Sequence, residues 1–314
     1  MIKQDLTLLG GSGDELRVSA AVLREAIDAL LEGVHLATRL AVEGESRRKG
    51  PRPAWLDAVC AFDITGLNAG SVAIAMEVPT LREADAMRFG GDGQRPLFEE
   101  SDQQFSDKTA VDLFGQVLEA IVEGDAEDVV ADRALLDSCV RFAKASGDGF
   151  DGIQLGGLRG RQIPLVIRPD HIPRIERLRD ETPTPQAARV AGTLDTISAS
   201  RTDVILKLKD GTKVPARLED HDPDALKELF GKAAVISGMA HYRPSGRLLM
   251  VVAEAIDEAG ARDHIFEAAP VARRRVPINT PVLQDESSGV SVFFGTWPGE
   301  ETEEELLEAL QGIG

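Results

Sequence analysis

Residues 203–218 read DVILKLKDGTKVPARL. Val204, Leu206 and Leu208 share one parity, and Val214 and Ala216 repeat the pattern after the turn. A strand sends successive side chains to opposite faces, so each run predicts a strand with one buried face. The two buried faces coincide only if the connecting loop has the right length. A two-residue Asp210-Gly211 loop would set Leu208 opposite Lys213. A three-residue loop, Asp210 to Thr212, restores the parity, with Gly211 in the left-handed position of a bulge.

Outward from this hairpin, the same alternation predicts strands at 188–197, 203–209, 213–218, 232–242 and 247–256, with a helix at 222–230. Asp222 is placed to cap that helix and Gly231 to end it. The last strand, RLLMVVAEAI, is apolar on both parities, as a strand buried between two layers should be. The order β-β-β-α-β-β over 187–256 resembles an OB-fold, a resemblance carried by element order. It implies a small five-stranded barrel whose outer face takes oligonucleotides or oligosaccharides. Lys207, Lys209, Lys213 and Arg217 are expected on the solvent side of the second and third strands, with Tyr242 at the end of the fourth. They form the candidate nucleic-acid face. The strands themselves offer no aromatic residues on which bases could stack.

Before the barrel, Thr182-Pro183-Thr184-Pro185 reads as a stiff, exposed linker and marks a boundary. Residues 1–181 mix helix and strand periodicities without strict alternation, which predicts an α+β domain. Leu6 to Val18 around Gly10-Gly11-Ser12-Gly13 suggests a short hairpin; that turn lacks the spacing and lysine of a phosphate-binding loop. Ser19 is a candidate cap for a long helix carrying Leu23, Ile27, Leu30, Val34, Ala37 and Ala41, ending at Gly44. Residues 45–53, ESRRKGPRP, read as a polar loop. Leu56, Ala58, Cys60, Phe62 and Ile64 alternate, as do Val72, Ile74, Met76 and Val78, which predicts an antiparallel hairpin. Two more amphipathic helices carry Phe114 and Cys139, and short strands fall at 152–155 and 162–168. Residues 257–314 form an irregular tail ending in a short helix.

The chain's formal charge is −18. Residues 1–186 hold 32 acids against 21 bases, 187–256 hold 9 against 10, and 257–314 hold 12 against 4. Such a field repels phosphate backbones, which disfavours nucleic acid except at the barrel. Two cysteines, Cys60 and Cys139, sit in apolar patterns and read as buried thiols of a reducing, cytoplasmic compartment. No apolar run reaches membrane-spanning length and no signal peptide is evident. His35, His171, His221, His241 and His264 show no metal-ligand spacing, and the acids Glu219, Asp220, Asp222 and Asp224 lack the pattern of a calcium loop. Asp63 and Glu77 share the polar parity of adjacent strands, but no partner residue is placed beside them for acid–base work. No catalytic residue, metal site or cofactor is expected, and the chain reads as a binder rather than an enzyme.

The tail carries the strongest binding signal. The chain has 11 Phe, 2 Trp and 1 Tyr, and three of these are Phe293, Phe294 and Trp297. Thr302 and Glu305 fit a capping box for a helix bearing Leu306, Leu307 and Leu310, too short to stand alone. Aromatic anchors beside such a helix predict docking on a partner or on the chain's own body. Arg273-Arg274-Arg275 adds a short basic run. The stretch FGTWPGEETEEELLEAL, 17 of the 314 residues, resembles the C-terminal segment of small bacterial proteins of toxin–antitoxin operons, often found beside a PIN-domain ribonuclease. The matching positions are Phe294, Trp297, Pro298, Gly299 and Glu301. The resemblance implies a protein that binds and restrains another protein; the rest of this chain is far longer than such antitoxins. The expected partner-binding residues are therefore Phe293, Phe294, Trp297, Pro298, Glu301, Leu306, Leu307 and Leu310.

Overall fold

The computed structural model describes residues 1–10, 18–48, 50–68, 72–90, 105–146, 150–198, 203–218 and 223–272. Contacts divide the chain into two units, Met1–Val276 and Pro277–Gly314, and every described residue belongs to the first. The fold is α+β: helices, an open sheet and a closed barrel.

The first half contains β1 (Ile2–Leu9), α1 (Ala20–Glu43), α2 (Ala54–Cys60), β2 (Asp63–Asn68), β3 (Val72–Val78), α3 (Leu81–Ala84) and α4 (Ala86–Phe89). After these come α5 (Ala110–Glu123), α6 (Arg133–Lys144), β4 (Gly152–Gly156), β5 (Leu165–Ile167) and α7 (Ile172–Glu181). The strands form one antiparallel sheet in the order β2-β3-β1-β4-β5. Its inner face presents Leu6, Leu8, Ile74, Met76 and Ile153 to α1, α5 and α6, which bury Leu30, Val34, Phe114, Leu118 and Phe142 in one core. Ser19 Oγ caps α1 by accepting from the Val22 N–H at 3.2 Å, and the helix ends at Gly44, whose N–H donates to the Leu40 carbonyl at 2.7 Å.

A polar network is sealed within this lobe. Gln4 on β1 is 3 % exposed and donates from Nε2 to Asp112 Oδ1 at 2.7 Å. Asp112 and Thr109 form the capping box of α5, and Thr109 Oγ1 donates to Gln4 Oε1 at 3.1 Å. The Arg159 backbone N–H closes the set on Asp112 Oδ1 at 2.9 Å. Every member has a partner, so its burial costs little and sets the helix against the sheet.

Two expectations are corrected here. The first is the hairpin partner of β1: its two edges pair with β3 and β4, while the expected turn and returning residues 11–17 lie outside the described residues. Leu56 to Cys60 is helix, not strand. Leu56, Val59 and Cys60 are buried at helical spacing; Leu56 and Cys60 also share a parity with Ala58, but Val59 falls on the other one, so only part of the run fits both periods. The hairpin of β2 with β3 does form, starting only at Asp63.

The second half holds β6 (Gln186–Ser198), β7 (Asp203–Lys207), β8 (Lys213–Leu218), α8 (Pro223–Leu229), β9 (Ala233–Tyr242) and β10 (Leu248–Glu258). These strands close into a barrel in the order β10-β8-β7-β6-β9, with β8 and β10 parallel and the other pairs antiparallel. The arrangement is compatible with an OB-like barrel. Val190, Leu194, Val204, Leu206, Val214, Ile236 and Val251 fill it. Leu206 faces Val214 and Val204 faces Ala216, so the parity argument holds. The loop lies one residue earlier than expected: Leu208 N–H donates to the Thr212 carbonyl at 2.9 Å, leaving Lys209 to Gly211 as the turn, with Gly211 at φ 86°.

β10 explains its own two-sided hydrophobicity. Val251 and Ala253 belong to the barrel core, whereas Leu249, of the same parity but set off from them by a register shift between Leu248 and Met250, packs into the core of the first half. The expected linker is also partly sealed: Thr182 is 1 % exposed, and its hydroxyl donates to the Leu178 carbonyl at 2.7 Å.

Gly33 offers a stability test. A methyl group placed there would lie 2.3 Å from Cζ of Phe114, a fully buried ring packed edge-on against Phe142 at 5.3 Å. Helix propensity alone favours Gly33→Ala by about 1 kcal/mol. Overpacking against a ring with no room to move opposes it by about 1–3 kcal/mol. Gly33→Ala should therefore lower stability in urea unfolding; a rise would show that the Phe114 ring yields.

Candidate functional site

The expected basic face of the barrel does not form as a set of four. Lys207 and Lys213 are directly paired and exposed at the ends of β7 and β8. Lys209 is 75 % exposed and pairs with Glu267 at 2.5 Å. Arg217 shares the outer parity of Lys213, yet its side chain is only 3 % exposed. Tyr242 is 3 % exposed and sits in the barrel core, away from any base-stacking surface. The cause is tertiary: the chain that follows α1 lies over the outer face at the far end of β8.

Arg217 therefore faces other groups. Its Nε donates to Asp203 Oδ1 at 2.9 Å and its Nη1 to Glu45 Oε1 at 2.8 Å. Its Nη2 donates to the Glu43 carbonyl. The Glu43 carboxylate bonds Arg39 Nε at 2.9 Å and lies 4.0 Å from Arg88 Nη2. Arg88 stacks over Trp55 at 4.2 Å, and burial lowers its pKa. The cluster joins the end of α1 and α4 to β7 and β8.

Beside it, Asp132 ties the loop after α1 to α6. Asp132 Oδ1 accepts from Ser46 Oγ at 2.6 Å and from the Leu135 N–H at 2.9 Å; Oδ2 accepts from the Ser46 N–H at 2.9 Å. Glu45, Asp132, Thr182, His241 and Tyr242 line a cavity of about 200 Å³ between the sheet domain and the barrel. Burial lowers the His241 pKa, partly opposed by Glu45 and Asp132, and lowers that of His35 as well.

The remaining candidates are quickly placed. Burial pushes the Cys60 thiol up to about 12 and the Cys139 thiol well above its ordinary value, so neither serves as a nucleophile at neutral pH. Glu77 stands in register with Asp63, a like charge, on one neighbouring strand and with Lys3, an opposite charge, on the other. Among the described residues no three His, Cys, Asp or Glu side chains converge on a metal position, and no helix is long and apolar enough to cross a membrane. His221, Glu219, Asp220 and Asp222, Arg273 to Arg275 and the segment from Phe293 to Leu310 lie outside the described residues, and Asp224 falls in α8.

Sequence reasoning missed a group of arginines around α1. Arg39, Arg47, Arg48, Arg52 and Arg141 line one cavity of about 630 Å³. Arg47 and Arg48 were visible only as part of a polar loop; Arg141 is remote in sequence, so no spacing could have joined it to them. No family model, no curated protein and no solved structure matches this chain.

Two outcomes follow for stability. Arg217→Ala leaves Asp203 and Glu45 buried without their partner and should cost about 3–5 kcal/mol in urea unfolding; a loss under about 1 kcal/mol would mean water reaches the cluster. His35 and His241 both have folded pKa values below the free value of 6.5. The unfolded chain then binds more protons as pH falls through that window, so their contribution is complete above about 6.5 and lost below it. Comparing stability at neutral and mildly acidic pH should show a loss that His241→Gln reduces.

Proposed function

We propose that this chain is a non-enzymatic protein-interaction module that engages a protein partner through residues 293–310. One observation carries the reading: five aromatics of the body fill its two cores, with Phe230 57 % exposed, whereas three of the chain's fourteen fall within five residues of the tail. Phe89, Phe105, Phe114, Phe142 and Tyr242 are each at most 7 % exposed within the two cores. Phe293, Phe294 and Trp297 fall in the unit Pro277–Gly314. Trp is among the residues enriched in interface hot spots, which makes Trp297 the expected anchor. The resemblance of 294–310 to toxin–antitoxin operon proteins supports an antitoxin-like regulator as the specific form. The two free, buried cysteines are in keeping with a cytoplasmic setting.

The test compares the full-length chain with one truncated after Gly289 in affinity purification from the native host, after showing that both unfold in the same transition. The partner should be recovered only with the full chain, and Trp297→Ala should weaken its calorimetric affinity by about 2 kcal/mol or more. Equal recovery with both chains would end the assignment of docking to the tail. A second reading, single-stranded nucleic-acid binding, is favoured only by the exposed Lys207 and Lys213 pair on a barrel of OB-like order, with Lys209 beside it. It requires a salt-sensitive mobility shift that Lys207→Ala/Lys213→Ala abolishes.

A further inference from the structure

The cavity beside α1 concentrates positive charge in a chain whose total charge is −18. Its wall holds the guanidiniums of Arg39, Arg47, Arg48, Arg52 and Arg141 against two carboxylates, Asp28 and Glu32. The other acids that hold these arginines, Glu43, Asp57 and Glu25, do not line the cavity. Arg39 Nε bonds Glu43 at 2.9 Å, Arg52 Nη1 meets Asp57 at 3.3 Å, and Arg141 Nε bonds Glu25 at 2.8 Å. Glu32 is shared, by Arg47 Nη2 at 3.1 Å and Arg141 Nη1 at 2.7 Å. For Arg39 and Arg47 the bonds to carboxylates use a single donor atom of the fork, and a guanidinium carries enough donors to hold a second oxyanion at its other edge.

The floor strengthens the field. Leu36 and Leu56 are 8 % and 2 % exposed, and the His35 side chain is 15 % exposed. His35 Nδ1 lies 2.6 Å from the Leu31 carbonyl, which can only accept, so that nitrogen carries the proton. Its Nε2 lies 3.3 Å from Arg52 Nη1 and accepts from it, which orients Arg52 at the rim. Arginines tethered by carboxylates outside the wall, over a buried apolar floor, are preorganised for an anion and need little reordering when it arrives. The volume of about 630 Å³ suits a small molecule, and the described lining residues include no Phe, Tyr or Trp on which a nucleobase could stack.

We propose that this cavity binds a compact, multiply charged oxyanion, a ligand bearing phosphoryl or carboxylate groups held by Arg39, Arg47 and Arg52. The site is independent of the tail and of any protein partner. The experiment titrates the full-length chain calorimetrically at low ionic strength with inorganic pyrophosphate and, separately, with citrate. Saturable binding with a dissociation constant of about 1 mM or tighter is expected for at least one of the two. Pyrophosphate alone assigns a phosphoryl ligand, citrate alone a carboxylate, and both a recognition of charge and size shared by the two. Arg47→Ala/Arg52→Gln should weaken binding at least about tenfold, and Lys207→Ala/Lys213→Ala on the barrel should leave it unchanged. If the double variant fails to fold, Arg47→Ala alone serves, because that side chain is 63 % exposed. No saturable heat with either probe, or undiminished binding in the arginine variant, overturns the proposal.

Discussion

Arg217 is a charge almost without water, and the two halves of the body meet at it. Its guanidinium holds Asp203 on its neighbouring strand, then reaches Glu45 and the Glu43 carbonyl beyond the end of α1. A buried charge of this kind is tolerable only when each donor finds an acceptor, and these acceptors come from both halves. The contact therefore specifies one docking geometry more than it adds stability. A shift of a few ångströms would strand an arginine and two carboxylates out of water.

The same junction accounts for features that look unrelated. Leu249 leaves the barrel and enters the other core. Thr182 and Pro183 are sealed at the crossing instead of hanging free. Asp132 spends both carboxylate oxygens on Ser46 and the start of α6, which steadies the loop carrying Glu45. The arginine cavity begins on that same loop, at Ser46 and Arg47, so the residues that hold the junction also shape one wall of the cavity. The barrel face that would serve an oligonucleotide is partly used within the molecule, which leaves a few lysines where a continuous basic groove would be needed.

Much was legible before any coordinates. The alternation in 203–218, with its odd-length loop, made the barrel hairpin, because a register error would have turned every apolar residue to solvent. Ser19 and Gly44 bounded α1 because helix ends need partners for their free backbone groups. The strand 247–256 is apolar on both parities, and Leu249 and Val251 reach different cores because the register of the strand shifts between Leu248 and Met250. The seven residues Ala54–Cys60 are too few to separate a period of 2 from one of 3.6 by alternation alone, and buried Val59 is the one position that favours the helix.

What the sequence determined by itself is local: element order, parity, caps and the crowding of aromatics into the tail. These rest on interactions between residues close along the chain, whose spacing is the geometry. Tertiary structure alone decided which outward-facing residues meet water. Lys213 and Arg217 have the same parity and opposite fates, because another part of the chain covers only one of them. It also gathered Arg39, Arg52 and Arg141 at one cavity from separate elements. Charge is not periodic, and electrostatic pairing acts through space between segments whose distance in sequence carries no record of it.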